Sequence, residues 1–333
     1  MNIDKVKGCL IGGAIGDALG YPFEFIKDKN LNSKIEYYSL KNGLAEISDD
    51  TQLTLFTICG LIDSAKKGNI NEVVNEAYKV WYDETENTIN TDSARKMVKH
   101  YPKIREMRTP GFSTLNALEW GGNGTIDNPI NDSKGNGGVM RIAPVGLFFS
   151  HKADIKKVAE IGAEISALTH GHELSHMSAY FLTYILAFLC SVKEKSLEEL
   201  DTIIDIAKIA TKIEFKKSKF SKDFVKIIDK AVKLSKSNKD DSIAIKELGE
   251  GWVAEESVAI AVYCLLKYGN NFEKCVLTAV NCSADRDTVG SITGNLVGCN
   301  VGFNKISEKF LENLECEDII LEMSEKLYEM SKN

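Results

Sequence analysis

Two short acidic motifs, far apart in the chain, carry the side chains best suited to chemistry. Ser48-Asp49-Asp50-Thr51 precedes a helical run, and Asp285-Arg286-Asp287-Thr288 opens another. Each motif alone is typical of a helix N-cap, where Ser, Thr and Asp accept hydrogen bonds from free backbone amides. Either motif is therefore explained by local structure, and their joint occurrence is what favours a functional site.

If the two motifs meet in space, four carboxylates and two hydroxyls crowd into one site. Like charges in one place repel one another unless cations neutralise them, and four negative charges balance two divalent ions. All these groups are hard oxygen donors, and no Cys or His pair stands beside them. The motifs predict a site for two Mg²⁺ or Mn²⁺ ions rather than for Zn²⁺.

A glycine-rich loop, Gly135-Asn136-Gly137-Gly138, comes directly before a segment predicted as helical, Val139-Met140-Arg141. Its backbone amides can face an anion without obstruction by side chains, and a helix N-terminus would add a favourable partial charge. A loop of this composition is also typical of a simple turn. The sequence leaves both interpretations open.

Three histidines lie close together at positions 170, 172 and 176. A zinc trio is conceivable, but Gly171 interrupts the helical spacing and no second Cys or His motif completes a zinc site. Helix capping, hydrogen bonding in the core or contact with a ligand is favoured for these side chains.

The elements that would position the acidic motifs carry glycine at every fourth residue. On a helix this spacing makes one bare stripe, which lets a second backbone approach closely. Each interior glycine costs about 0.5 to 1 kcal/mol relative to alanine, so packing must offset that cost. We predict two tightly packed helices whose ends are held rigidly. The stripes are Gly8, Gly12, Gly16, Gly20 and Gly290, Gly294, Gly298.

Helical periodicity dominates the remaining chain. All five prolines fall within the first 144 residues, and apolar residues recur at spacings of three and four, as at Val258, Val262 and Leu265. Strand-like alternation is nearly absent, and no linker rich in Pro, Gly or Ser divides the chain. The sequence predicts an all-α bundle of about ten or more helices. We expect one compact domain over residues 1–333, with a long loop from Trp120 to Gly138 that is either functional or mobile.

Composition excludes several classes of protein. The chain has 333 residues, 44% hydrophobic and 27% charged, which is ordinary for a globular protein. Its 41 basic and 48 acidic side chains give a net charge of −7, which argues against a nucleic-acid partner. Eight cysteines without a Cys-x-x-Cys pair predict reduced thiols and a cytoplasmic location. The uncharged stretch from Leu174 to Val192 is polar enough to predict a buried helix rather than a membrane span.

Seven segments between residues 8 and 298 form an ordered set of motifs. They are GCLIGGAIGDALGYPFEF, SDDTQLTLFT, RTPGFSTL, SKGNGGVMRIAPVGL, ALTHGHELS, GWVAEESVAIAVYCLL and SADRDTVGSITGNLVG. In content and order they resemble the ADP-ribosylglycohydrolase family, including the type that reactivates dinitrogenase reductase. The resemblance implies an all-α, single-domain fold with a binuclear magnesium or manganese centre in a cleft.

Carried over motif by motif, the resemblance gives each candidate residue a role. Glu24, Asp49 and Asp287 would be the catalytic carboxylates, with Glu24 near the substrate ribose, and Asp17 would support the substrate site. The diphosphate would lie on Gly135, Asn136, Gly137 and Gly138, and His170 would line the ADP-ribose site. The metal ligands, the same set that charge indicates, would be Ser48, Asp49, Asp50, Asp285, Asp287 and Thr288.

These groups suit cleavage of the bond between ribose C1 and a modified side chain. Two cations can orient ribose hydroxyls and a water molecule and lower the pKa of that water. A carboxylate such as Glu24 can move a proton or stabilise an oxocarbenium-like state. The leading prediction is therefore removal of ADP-ribose from a protein, with arginine as the first linkage to test.

The chain departs from the family pattern beside the second acidic motif. Arg286 stands where the family usually has a small Thr or Ser, Cys282 and Ala284 replace a common His and Gly, and Asn136 stands where Cys or Ser is frequent. All six ligand positions are retained, so these changes bear on substrate choice more than on metal binding. Two other functions stay open: a non-catalytic module that binds ADP-ribose or a toxin, and a hydrolase of another ribosyl or nucleotide metabolite.

Overall fold

The computed structural model describes residues 2–26, 34–83, 91–151 and 154–332. These residues contain fifteen α-helices and no β-strand longer than an isolated bridge, as the periodicity predicts. The helices are α1 (Ile3–Gly20), α2 (Asp49–Lys67), α3 (Ile70–Tyr82), α4 (Asp92–His100), α5 (Phe112–Glu119), α6 (Ala143–Phe149), α7 (Ile155–Ala167), α8 (Glu173–Ser191), α9 (Leu197–Glu214), α10 (Ser221–Ser235), α11 (Asp241–Leu248), α12 (Ala254–Tyr268), α13 (Phe272–Cys282), α14 (Arg286–Val301) and α15 (Glu317–Ser331).

Helices α1 and α14 pack against each other at the centre of the fold, and their glycine stripes face one another. A Cβ atom at Gly16 would collide with the carbonyl oxygen of Gly290, and one at Gly294 with that of Gly12. Every residue of α14 is buried. The prediction of two tightly packed helices is confirmed, and close backbone contact offsets the helix-propensity cost of the glycines.

The remaining helices surround this central pair. Helix α8 is apolar on most of its surface and is buried among α6, α7, α9 and α12. It is long and apolar enough to cross a membrane, but 83% of its most apolar window is buried inside the fold. The interpretation of Leu174 to Val192 as a buried helix is confirmed. All eight cysteines lie in the described ranges and are free thiols.

A buried ion pair fixes the segment that leads into α2. The carboxylate of Glu315 accepts hydrogen bonds from Arg108, from the Tyr101 hydroxyl at 2.7 Å and from the backbone amide of Ile47 at 3.1 Å. Arg108 Nη1 also donates to the Ile47 carbonyl at 2.8 Å. Because Ile47 precedes Ser48, this network holds the start of the first acidic motif in place.

Replacing the carboxylate tests the contribution of this network. Burial raises the pKa of Glu315, but the hydrogen bonds from Arg108 and Tyr101 outweigh burial and the net pKa is lowered. The stabilisation is therefore complete above the unfolded-state pKa of about 4.3 and is lost as pH falls through the lower folded-state value. We expect Glu315→Gln to lower the free energy of unfolding by about 3 kcal/mol at pH 7, because Arg108 loses its buried partner.

Urea unfolding at pH 7 and at acidic pH measures this difference. The matched control is Glu312→Gln, an exposed residue three positions earlier, which should change stability by less than about 0.5 kcal/mol. A loss for Glu315→Gln that stays constant as the wild-type carboxylate becomes protonated would contradict the ionic origin of the effect.

Candidate functional site

The first acidic motif is the first turn of α2. Ser48 is the N-cap, and its side chain accepts from the amide of Asp50. Asp17, near the end of α1, accepts hydrogen bonds from the amides of Ser48 and Thr51, at 3.0 and 3.1 Å, and from the Thr51 hydroxyl at 2.5 Å. Ser48 therefore caps α2, as the sequence indicates, and the carboxylate of Asp17 on α1 orients the first turn of α2.

The structure brings the second acidic motif against the first. Asp285 occupies the N-cap position of α14, and Thr288 in the first turn donates from Oγ1 to Asp50 Oδ2 at 3.2 Å. The two residues are 238 positions apart in the sequence. The tight packing of α1 on α14 and the capping of α2 by Asp17 produce this junction.

A cavity of about 310 Å³ lies at the junction and contains most of the predicted site. Ser48, Asp17 and Gly138 are buried and do not line it. The sequence-predicted residues that line it are Glu24, Asp49, Asp50, Gly135, Asn136, Gly137, His170, Asp285, Asp287 and Thr288.

The four aspartates of the two motifs form a buried concentration of negative charge. Burial, followed by the charge of Asp287, raises the pKa of Asp49, Asp50 and Asp285 well above the usual range. Burial also raises the pKa of Asp287 itself. Asp17 behind them has a pKa of about 7 for the same reasons. Such a cluster favours either bound protons or bound cations.

The donor set fits hard divalent cations. Asp50 Oδ1 and Asp285 Oδ1 are buried and, within the described ranges, have no hydrogen-bond partner. A buried carboxylate oxygen without a partner is costly, and a cation would remove that cost. Among the described residues, no group of three or more Asp, Glu, His or Cys side chains is arranged to hold a metal ion as these side chains stand. The oxygen donors of the two motifs divide between the starts of α2 and α14.

Glu24 approaches the cavity from the short turn that follows α1. Its Oε2 accepts a hydrogen bond from the Thr109 hydroxyl at 2.9 Å. Burial and the charge of Asp287 raise the pKa of Glu24 to about 9. Thr109 has a backbone φ of +56°, an uncommon value for a non-glycine residue, which often marks a functional turn.

The glycine loop also lines the cavity. The prediction that Val139-Met140-Arg141 is helical is wrong: residues Asn136–Gly138 form one 3-10 turn, and α6 begins only at Ala143. Asn136 Nδ2 donates to Asp285 Oδ2 at 2.6 Å and to the Gly251 carbonyl at 2.8 Å. The side-chain amide of Asn136 therefore links the glycine loop to Asp285 at the start of α14 through a hydrogen bond.

The three histidines take separate roles. His172 caps α8, with Nδ1 accepting from the Leu174 amide at 3.0 Å, and His176 Nε2 lies 2.8 Å from the His170 carbonyl. His170 alone lines the cavity. One histidine therefore caps a helix, one forms a hydrogen bond in the core and one lines the cavity.

Arg286 lies away from the cavity. Its side chain is fully buried, and Nη1 donates to the carbonyl of Val280, in the last turn of α13, at 2.7 Å. A cation at a helix C-terminus interacts favourably with the unpaired carbonyls there. The Arg286 side chain is therefore not exposed to solvent. Cys282 lines a different cavity, of about 640 Å³, between residues 34–36 and helices α11 and α13.

Sequence reasoning assigned no role to several residues that also line the site. Three of them lie in irregular segments and the other three form the first turn of α5, and acidic character marks none of them. The signal available in the sequence was their position in aromatic and hydroxyl-bearing stretches beside glycine. These residues are Thr109, Phe112, Ser113, Thr114, Met140 and Trp252.

The fold is all-α, and two acidic helix ends and a glycine loop line one cavity. A model of the ADP-ribosylglycohydrolase family matches residues 2–333. The chain belongs to the ADP-ribosylglycohydrolase family, whose members hydrolyse glycosidic bonds.

Named relatives agree with this assignment. The chain is 25% identical to ADP-ribosylhydrolase ARH3 of Gallus gallus, over 98% of this chain and 93% of that protein. It is 26% identical to ADP-ribosylarginine hydrolase Tri1 of Serratia proteamaculans, over 99% of this chain and 80% of the relative. A solved structure titled ADP-ribosylglycohydrolase-related protein complex has the same fold, with a TM-score of 0.68 and 22% identity over 99% of this chain and 98% of the other.

Proposed function

We propose that this protein releases ADP-ribose from a modified protein side chain, with arginine as the first linkage to test. The observation that carries the proposal is the convergence of four buried aspartates from α2 and α14 in a cavity lined by a glycine loop. Relatives named ADP-ribosylhydrolase and ADP-ribosylarginine hydrolase support the substrate class. The free thiols favour a reducing compartment, so we also propose a cytoplasmic location.

We propose that the site holds two Mg²⁺ or Mn²⁺ ions. The residues that would hold them are Ser48, Asp49, Asp50, Asp285, Asp287 and Thr288. Two carboxylate oxygens of this set, Asp50 Oδ1 and Asp285 Oδ1, have no hydrogen-bond partner within the described ranges and suit a hard cation. When bound, the ions would balance the charge of the four aspartates and supply Lewis-acid polarisation of substrate oxygens.

The chain's own residues divide the remaining work. The glycine loop offers backbone amides to an anionic group, and His170 lies beside it. Glu24, the cavity carboxylate that stands outside the two motifs, is placed to hold or transfer a proton at the bond that breaks. Phe112 and Trp252 at the rim add aromatic surface for a ring of the substrate.

A panel of ADP-ribosylated substrates tests this function. We expect the purified protein to release ADP-ribose from at least one protein linkage when Mg²⁺ or Mn²⁺ is present, to lose the activity with a chelator, and to regain it when metal is restored. The panel contains arginine, serine and nucleic-acid linkages together with small ribosyl and nucleotide metabolites. The released ADP-ribose is quantified by chromatography.

The other outcomes contradict the proposal in different ways. Turnover of small metabolites alone would place the enzyme on a different substrate class. Calorimetric binding of ADP-ribose without hydrolysis of any linkage would indicate a binding module. Full activity in chelator would contradict the proposed metal centre while leaving the substrate class intact.

A further inference from the structure

Three buried side chains form a hydrogen-bonded series behind the glycine loop. Arg141 Nη2 donates to Thr169 Oγ1, and Thr169 Oγ1 lies 2.9 Å from His170 Nδ1. Arg141 and Thr169 are fully buried, and His170 is 2% exposed. The guanidinium of Arg141 also lies 4.4 Å from the centre of the Tyr78 ring, which fixes its position. The cavity therefore meets this series only at the imidazole of His170.

The donors and acceptors along the series follow from a count of protons. A guanidinium has donors only, so the Thr169 oxygen must accept from Arg141. The hydroxyl then has one proton left, and within the described residues its remaining hydrogen-bond partner is His170 Nδ1. If Nδ1 carried a proton, the buried hydroxyl proton would lack an acceptor, which is unfavourable for a buried polar group. Thr169 therefore donates to Nδ1, and the imidazole proton resides on Nε2.

The Nε2 atom is on the cavity side of the ring, directly against the glycine loop. A Cβ atom built at Gly135 would lie 3.3 Å from His170 Nε2, and one at Gly137 would lie 3.2 Å from it. The absence of side chains at these two positions leaves Nε2 accessible next to the loop amides. An anion that binds the loop therefore lies beside this atom.

We propose that Arg141 and Thr169 are positioning residues that fix His170 as an Nε2–H donor to a phosphate oxygen of the ligand. The inference rests on the proposed function for the ligand's identity, since ADP-ribose supplies such oxygens. A phosphate oxygen accepts and does not donate when ionised, so it pairs with Nε2–H and is repelled by the lone pair of the opposite tautomer. The tautomer therefore determines whether the imidazole contributes to binding.

The surroundings of the ring keep it uncharged. Burial, followed by the charges of Arg141 and His176, lowers the pKa of His170 to about 3. At neutral pH the imidazole has one proton, and the choice between its two nitrogens is the property that Thr169 controls. A charged imidazolium would carry protons on both nitrogens, and Arg141 and Thr169 would then have no tautomer to select.

Nitrogen-15 NMR of the imidazole measures the tautomer directly. The His170 ring signals are assigned by comparison with the spectrum of His170→Gln. In the wild-type protein we expect a pyrrole-type signal for Nε2 and a pyridine-type signal for Nδ1. In Thr169→Val, which keeps the side-chain shape and removes the hydroxyl, we expect the second tautomer to become populated. Thr169→Ser retains the hydroxyl and should restore the wild-type pattern.

Calorimetry with ADP-ribose in the presence of Mg²⁺ gives the binding consequence. We expect Thr169→Val to weaken ADP-ribose binding about tenfold, and Thr169→Ser to bind as the wild type does. If Thr169 had only a structural role, Thr169→Val would change thermal stability without changing the tautomer. Recovery of the tautomer in Thr169→Ser would then not be accompanied by recovery of ADP-ribose affinity. If the valine variant does not fold, Thr169→Ala gives the same comparison.

Each result decides a separate point. A wild-type ring protonated on Nδ1, or a tautomer unchanged in Thr169→Val, would overturn the inference. Failure of the wild-type protein to bind ADP-ribose would contradict the proposed function and leave the NMR result valid, because the tautomer is measured without ligand.

Discussion

Asp287→Asn is expected to reduce metal-dependent release of ADP-ribose by more than about 100-fold. Substituting a residue that only supports a metal ligand typically lowers metal affinity or activity by about 10- to 100-fold, and substituting the ligand itself should lower it further. Asp287 lines the cavity at the first turn of α14, and its charge raises the pKa of Asp49, Asp50, Asp285 and Glu24. The release rate with Mg²⁺ or Mn²⁺ measures the loss.

The same variant should not be less stable when cations are removed. Removing one of four mutually repelling buried charges relieves that repulsion, so the free energy of unfolding in chelator should equal or exceed that of the wild type. The gain in melting temperature on adding Mg²⁺ should be smaller than in the wild type, because stabilisation by a ligand follows its affinity for the folded state. Thermal unfolding with and without Mg²⁺ tests both points.

Asp223→Asn is the matched control for this experiment. Asp223 lies in the first turn of α10, as Asp287 does in α14, and it is exposed. We expect its activity and its response to Mg²⁺ to match those of the wild type. Full activity of Asp287→Asn, or an undiminished response to Mg²⁺, would remove Asp287 from the proposed ligand set.

Local chemistry explains why much of the site was accessible from sequence. The glycine spacing of α1 and α14 can be read from each helix by itself. It predicts their packing because a stripe of glycines lowers helix stability unless a second backbone packs closely against it. The start of α2 at Ser48 could likewise be placed from the preference of its side chain for free amides, whereas Asp285 stands at the N-cap position of α14 without a capping hydrogen bond from its side chain. The meeting of the two acidic motifs followed from charge, because four aspartates suggest a shared counter-ion.

Interactions between distant segments could not be obtained in this way. Arg108 and Glu315 are separated by 207 residues, and nothing in either neighbourhood indicates the other. The hydrogen bond from Asn136 to Asp285 depends on how the glycine loop packs against α14. The sequence shows that Asn136 departs from the family pattern, but it does not show which residue Asn136 contacts. Such pairs are decided by tertiary packing, to which short-range periodicity is insensitive.

The incorrect helix after the glycine loop has a specific cause. A helix that began at Val139 would place Pro144 in its interior, where proline lacks the amide hydrogen that would pair with the Met140 carbonyl. Starting at Ala143 instead puts Pro144 in the first turn of α6, where its missing amide proton costs nothing. The position of Pro144 therefore favours a helix that starts no earlier than Ala143.

Gly294→Ala is expected to lower the free energy of unfolding by about 3 kcal/mol, at the upper end of the usual cost of overpacking a core. The added methyl group would collide with the carbonyl oxygen of Gly12, and backbone cannot move aside as a flexible side chain does. Asp17 and Asp287 lie on these two helices, so separation of the helices should also weaken the response to Mg²⁺. Urea unfolding and the Mg²⁺-induced shift in melting temperature measure the two effects.

The sign of the stability change makes this experiment decisive. In a helix with room for a side chain, replacing glycine by alanine stabilises the protein by about 0.5 to 1 kcal/mol through helix propensity. A loss of stability therefore requires steric conflict larger than that gain. Gly111→Ala is the control for open space, since nothing lies within 4 Å of a Cβ there. Gly111 is the N-cap of α5, where alanine is less favourable than glycine, so we expect a loss of no more than about 1 kcal/mol. A stabilised Gly294→Ala protein would show that α1 and α14 are held apart in solution, and that close backbone contact is not what aligns the two acidic helix ends.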